Sequence, residues 1–263
     1  MRKNKLKEKI VAGERAVNGW VAIPSAMSTE VYAAAGWDSV TIDMQHGGPE
    51  FNDLVPLLQA ISLADVTPMV RVPWNSPGYI QRALDAGAYG IVCPMINTRE
   101  EAEALVRAGR YPPMGERSFG PYRAAHYGGA DYWQHANDEV LLFAMIETRQ
   151  AVNNLEAILS VKGINGVYVG PSDLSMSMGK TPTLDPSEPT VLEAMDIICK
   201  TTRKWGHIAG VHTDGAKTAL KRFNEGFQMC TLLNDVRLLA VAAQQAVRDA
   251  RGQGGPAAQS KTY

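Results

Sequence analysis

Ionisable side chains follow four short apolar, β-branched runs of this chain. They are Asp43 and His46 in TIDMQHGG, Arg71 in MVRVPWN, Glu147 in MIETR and Asp173 in GPSD. Glu147 and Asp173 form a pair of carboxylates with no cysteine or histidine beside them. Such a pair suits a hard, oxygen-seeking divalent cation that keeps several waters, so Mg²⁺, Mn²⁺ or Co²⁺ fits better than zinc. The plainer readings are an N-cap role for Asp173 and an ion pair between Glu147 and Arg71 or Arg149. His46 precedes Gly47 and Gly48, where the backbone can bend and expose the imidazole. A carboxylate at Asp43, or at Asp85, could orient that ring and raise its basicity. Arg71 keeps its charge at any working pH and can stabilise a developing enolate oxygen. Where a helix opens at Gly170-Pro171-Ser172-Asp173, backbone amides can receive a carboxylate. Pro171 has no N–H, so Ser172 and Asp173 are the donors. Trp20, in the first apolar run, is expected to line the same site. His126 and His135 read as surface residues, and His212, closing the seventh run, as a minor candidate facing the site.

Groups so far apart in sequence need a scaffold that gathers the ends of many strands. Eight runs qualify as strands: Gly19–Ile23, Ser39–Asp43, Pro68–Val72, Gly90–Pro94, Leu141–Glu147, Gly166–Gly170, His207–His212 and Phe227–Leu232. They are nearly continuous in apolar residues, as strands buried on both faces are. Amphipathic stretches such as Thr98–Gly109, Gln150–Leu159 and Thr190–Trp205 lie between them. Three segments repeat one entry, in which glycine closes a helix just ahead of a strand: AAAGWDSVTIDM, ALDAGAYGIVCP and NEGFQMCTLL. Eight strands alternating with helices predict a closed (β/α)8 TIM barrel, whose catalytic groups sit at the C-terminal strand ends. No GxGxxG follows the first strand, which argues against an open dinucleotide-binding sheet. The segment Tyr111–Asn137, rich in Gly, Pro and aromatics, is too long for a plain connector and reads as a functional loop. None of the eleven lysines falls at the C-terminal end of a strand, and Lys162 sits at the wrong end of its own. Schiff-base chemistry is therefore not expected, and charge at an enolate falls to a metal and Arg71.

The 263 residues suit one barrel, expected over residues 1–251, with a disordered tail over 252–263. A net charge of −1 offers nothing to nucleic acid or an anionic membrane. Cys93, Cys199 and Cys230 lack CxxC spacing, which suits a reducing compartment and makes the cytoplasm the expected location. No apolar stretch is long enough to cross a bilayer. The lysine-rich start (Lys3, Lys5, Lys7, Lys9) lacks the apolar core of a signal peptide and reads as a short surface helix.

TIDMQHGG, MVRVPWN, ALDAGAYGIVCPMINTREEAEALVRAGRYPPMGERSFG, MIETRQAVNNLEAIL and GINGVYVGPSDLSMSMG together resemble the HpcH/HpaI class II aldolases, from about Gly19 to Asp235. The resemblance implies a divalent-metal-dependent aldolase that cleaves a 4-hydroxy-2-oxo acid into pyruvate, or hydroxypyruvate, and an aldehyde. It implies that His46 acts as base on the 4-hydroxyl, that Asp85, alone or with Asp43, raises its basicity, and that Arg71 stabilises the enolate. Glu147 and Asp173 would bind the metal, and the Ser172 backbone would hold the keto acid's carboxylate. A homo-hexamer, a dimer of trimers, is the implied assembly. Gln45 departs from the family's usual glutamate, and Met145 replaces a glutamine that contacts substrate in a relative. Both changes imply a different aldehyde. Rival expectations are oxaloacetate decarboxylation, citrate-lyase-like cleavage of an acyl-CoA, and a non-catalytic keto-acid-binding barrel.

Overall fold

The computed structural model describes residues 1–253, so the tail expected from residue 252 lies, from 254 onward, outside the described residues. Eight strands run in chain order around a closed barrel: β1 (Ala16–Val21), β2 (Ser39–Asp43), β3 (Thr67–Arg71), β4 (Gly90–Cys93), β5 (Leu141–Ile146), β6 (Gly166–Val169), β7 (Ile208–His212) and β8 (Met229–Asn234). Every neighbouring pair is parallel, and β8 closes on β1 through Ala16–Met229 and Val17–Cys230. The expected (β/α)8 barrel is therefore the fold. Six of the eight expected strands agree with the observed ones within a residue at each end. β1 starts three residues earlier and β8 runs two residues further.

The local signals act as their chemistry requires. Gly36, Gly87 and Gly226, the glycines of the three repeated entries, take φ of 93°, 106° and 107°. That left-handed conformation is costly for any residue with a Cβ, and it turns the chain from helix to strand. Thr98 and Glu101 form a capping box that opens the helix Arg99–Gly109. Two expectations need correction. The stretch Gln150–Leu159 is two short helices, Arg149–Asn153 and Leu155–Leu159, broken at Asn154, whose side chain donates to the Asn97 carbonyl at 2.7 Å. The long loop is not wholly irregular, for Tyr122–Gly128 and Tyr132–Glu139 are helical within it.

Two apolar layers hold the barrel. Outward residues such as Val40, Ile42, Val70, Ile91, Ala144 and Val167 pack against the surrounding helices. Inward residues Trp20, Met69, Val92, Phe143, Met145, Tyr168 and Met229 fill the interior. The N-terminal helix Lys5–Val11 is not a surface helix: Leu6 and Ile10 are 0% and 4% exposed and join the interior cluster. Its lysines face water while its apolar residues plug the N-terminal end of the barrel. Burying the two side chains contributes about 1.5–3 kcal/mol each.

Candidate active site

The C-terminal strand ends gather most of the expected site residues. Asp43 ends β2 and Arg71 ends β3, and their register places them side by side. Arg71 grips Asp43 with both arms of its fork, Nε to Oδ1 at 2.8 Å and Nη2 to Oδ2 at 2.6 Å. Trp20, from β1, donates its indole N–H to Asp43 Oδ2 at 3.1 Å, and the Arg71 guanidinium lies over its ring at 4.8 Å. Burial pushes the Asp43 carboxyl upward, but the Arg71 charge and these donors outweigh it and hold it below the usual range. Asp43 is therefore not the partner of the His46 imidazole. It accepts instead from the backbone N–H of Gln45 at 3.0 Å and of His46 at 3.3 Å, which bends the chain and leaves the His46 side chain exposed. Arg71 is fixed by this clamp, so the expected plain ion pair of Glu147 with Arg71 or Arg149 is not what forms.

Glu147 follows β5 directly and is 2% exposed. Its Oε1 accepts from the Met95 N–H at 2.8 Å. Met95 follows β4 with φ of 55°, the sole non-glycine among the described residues in the left-handed region. Such backbone costs about 1–3 kcal/mol and tends to mark functional sites. On the other side stands Gly170, where an added Cβ would lie 2.6 Å from Glu147 Oε2. Only glycine leaves the carboxylate room. Burial, then the nearby charge of Asp173, pushes Glu147 up to about 7, against the Met95 bond and the pull of Arg71.

Asp173 lies in the first turn of the helix Pro171–Ser177, whose N-cap is Gly170, so the expected N-cap reading of Asp173 is corrected. It is exposed, whereas Ser172 is 3% exposed and its hydroxyl has no hydrogen-bond partner. A buried acidic group whose proton affinity is raised, an exposed one near it and an orphaned hydroxyl together fit a cation with an oxyanion ligand. No three His, Cys, Asp or Glu side chains converge among the described residues. A cation held by this pair would draw its remaining ligands from water and substrate oxygens.

Asp85 is placed elsewhere in this chain. It ends the helix Pro77–Asp85 and accepts from Arg117 Nη2 at 2.7 Å, so it does not polarise His46 within the same subunit. Burial still holds its carboxyl above the ordinary value, despite Arg117. His126 and His135 are exposed, as expected of surface residues.

Residues 18–241 match the profile of the HpcH/HpaI aldolase/citrate lyase family. The chain belongs to this family. It is 41% identical over 239 residues, 91% of this chain and 95% of the relative, to a hydroxypyruvate/pyruvate aldolase of Rhizorhabdus wittichii. It is 35% identical to the 4-hydroxy-2-oxo-heptane-1,7-dioate aldolase of Escherichia coli, covering 92% of each. A crystal structure of an HpcH/HpaI aldolase/citrate lyase family protein from Burkholderia cenocepacia superposes with a TM-score of 0.88 at 32% identity, over 95% of this chain and 100% of that one.

Within the HpcH/HpaI frame, the residue that sequence reasoning missed is Met95. Nothing in its type favours positive φ, and only the adjoining proline in CPMIN hints at an irregular strand end. The polar interior of the barrel was missed too, because Asn18, Thr41, Tyr168 and Thr231 sit inside runs that read as apolar. Of the two departures, Met145 is buried in the interior cluster, and Gln45 Oε1 is buried without a partner.

Proposed function

We propose that this protein is a divalent-cation-dependent class II aldolase that cleaves a 4-hydroxy-2-oxo acid to pyruvate, or hydroxypyruvate, and an aldehyde. The supporting observation is Glu147, sealed between the Met95 N–H and Gly170, with Asp173 and Arg71 close enough to shift its proton affinity. Buried unpaired carboxylates are costly, and a site that retains one has a use for it.

Glu147 and Asp173 would hold Mg²⁺, Mn²⁺ or Co²⁺, which when bound supplies Lewis acidity at the keto acid's oxygens. The amides of Ser172 and Asp173 face the carboxylate of the substrate, with the Ser172 hydroxyl as a further donor. His46, free of any carboxylate in its own chain, takes the proton of the 4-hydroxyl. As the C3–C4 bond breaks, its electron pair becomes the enolate and the aldehyde departs. Arg71, immobilised by Asp43, already faces the oxygen on which charge grows, so its stabilisation needs no reorganisation. A proton delivered to C3 completes the keto acid. Trp20 fixes Asp43 and forms the wall beside Arg71.

Residues 1–251 are proposed to act as one catalytic unit. The three cysteines are buried and unpaired, and no helix among the described residues is long and apolar enough to cross a membrane. A cytoplasmic homo-hexamer built from two trimers is the proposed setting.

Chelation tests the reading. EDTA should abolish both aldol cleavage and exchange of pyruvate methyl protons with deuterated solvent, seen by NMR, and Mn²⁺ should restore both. Full activity in the chelator would remove the metal from the mechanism. Borohydride trapping with pyruvate should yield no covalent adduct.

A further inference from the structure

One titratable side chain inside the barrel has no part in these steps. His212 ends β7, is partly exposed, and meets the Trp20 ring edge-on at 4.9 Å. Its Nδ1 lies 3.0 Å from the Tyr168 hydroxyl. Tyr168 in turn hydrogen-bonds Thr231 Oγ1 at 2.6 Å, and the same oxygen accepts from Asn18 Nδ2 at 2.8 Å. Asn18 Oδ1 is occupied by the hydroxyls of Ser39 at 2.7 Å and Thr41 at 3.1 Å.

The protons of this chain run in one direction. Asn18 takes the Ser39 and Thr41 hydroxyls on its oxygen and turns its amide N–H₂ to Thr231. Tyr168 gives its single proton to Thr231, so at His212 its oxygen accepts. With the Tyr168 proton on Thr231, the matching tautomer carries the imidazole proton on Nδ1 and makes Nε2 the acceptor, on the side of the ring turned away from Tyr168. Burial, with the positive charge of Arg71, keeps the ring neutral by pushing its pKa down to about 3. Trp20 and Tyr168 hold it in place. A rigid, neutral acceptor at the end of a barrel strand, beside the Trp20–Arg71 wall, complements a hydroxyl donor on the bound molecule.

We propose that His212 is a specificity-determining residue whose Nε2 accepts a hydrogen bond from a hydroxyl of the substrate, favouring hydroxylated substrates over their deoxy counterparts. This rests on the aldolase reading above. The hydroxyl can come from either reactant: C3 of the keto acid, as in hydroxypyruvate, or C2 of the aldehyde, as in glycolaldehyde.

Two pairs separate these sources. Hydroxypyruvate is compared with pyruvate at a common aldehyde, propanal, and glycolaldehyde with acetaldehyde at a common pyruvate. The readout is the ratio of kcat/KM within each pair, for wild type, His212→Phe and His212→Gln. Phenylalanine keeps the ring against Trp20 and deletes the lone pair, whereas glutamine retains an acceptor oxygen. The preference for the hydroxylated member should fall about tenfold in His212→Phe in one pair, the loss of one hydrogen bond. It should stay within about threefold in His212→Gln. Unchanged ratios in both pairs, in variants that still turn over, overturn the proposal and leave the aldolase reading intact. A wild type that joins no pair and exchanges no methyl protons of pyruvate sinks the aldolase reading and the proposal with it. Independently of turnover, long-range ¹H–¹⁵N NMR of histidine-labelled protein should show His212 protonated at Nδ1, and a proton found on Nε2 overturns the assignment.

Discussion

Glu139 and Glu147 are both buried glutamates of one barrel, yet they stand at opposite ends and in opposite condition. Glu139 closes the N-terminal end, where it receives the Asn4 N–H at 2.8 Å and the Lys3 ammonium at 2.8 Å. Burial pushes it up, but those donors win and hold it below the ordinary value. Around it the accounts close: Asn4, 0% exposed, donates its amide to the carbonyls of Tyr89 at 3.0 Å and of Glu139 at 2.8 Å. Glu147, at the C-terminal end, has one backbone donor and a like charge nearby, and rises to about 7. At the same end Ser172 and Gln45 keep buried oxygens without partners. The Asn4–Glu139 cluster is satisfied by the protein alone. The Glu147 cluster keeps unsatisfied groups that a ligand can complete, which is how a barrel divides stability from chemistry.

The sharpest way to break this contrast is to neutralise Glu147. Glu147→Gln should lower kcat/KM by about 10³ or more, in line with removing a group that anchors the charge-stabilising site. Divalent-cation affinity, measured by Mn²⁺ titration followed by electron paramagnetic resonance, should collapse in parallel. Chemical stability should not fall, because the change removes a buried charge with little compensation. A variant that unfolds but still binds Mn²⁺ would reverse the roles assigned to the two ends.

Arg71→Ala follows, with an expected loss of roughly 10²–10³ in kcat, as for an oxyanion donor. Arg71→Lys should recover little, since one ammonium cannot span both Asp43 oxygens as the fork does. Near-wild-type turnover in Arg71→Ala would take enolate stabilisation away from this residue.

The scaffold was legible because barrel strands advertise themselves. GIVC, LLFAMI and GVYV are apolar on both faces, and the glycines at 36, 87 and 226 mark the turns that lead into strands. The acidic pair and Arg71 were legible because a charged residue straight after such a run has one place to go. Partnerships were not. Asp43 three residues from His46 suggested a dyad, but its oxygens are taken by Arg71, Trp20 and two backbone amides. Asp85 went to Arg117 across a loop whose path no local pattern specifies. The N-terminal helix was misread because two apolar residues among lysines give a weak stripe, and the open end of a barrel needs little more than Leu6 and Ile10 to close it.

At the satisfied end, Glu139→Gln should leave kcat and cation binding untouched while destabilising the fold by about 1–3 kcal/mol, the cost of weakening buried charged hydrogen bonds. Urea unfolding, compared with wild type at pH 7, measures it. The exposed Lys3 supplies little of that, so Lys3→Ala should cost less than about 1 kcal/mol. An activity loss in Glu139→Gln would mean that the two ends are coupled.

The smallest effect distinguishes the two glutamates by sign. Glu147 has a folded value of about 7 against an ordinary 4.5, so the metal-free fold gains from its protonation. That contribution is full below pH 4.5 and is lost as pH rises through about 7. Glu139 is depressed, so its contribution is present above the ordinary value and lost as pH falls through the depressed one. In EDTA, the stability of wild type relative to Glu147→Gln should therefore decline from pH 4.5 to 7, while relative to Glu139→Gln it should climb with pH in the acid range. Mn²⁺ competes with the Glu147 proton, so its apparent affinity should drop by up to about tenfold per pH unit below 7. A pH-independent affinity between 5 and 7 would mean that Glu147 is already ionised in the metal-free protein, and that the strain at the upper end lies elsewhere.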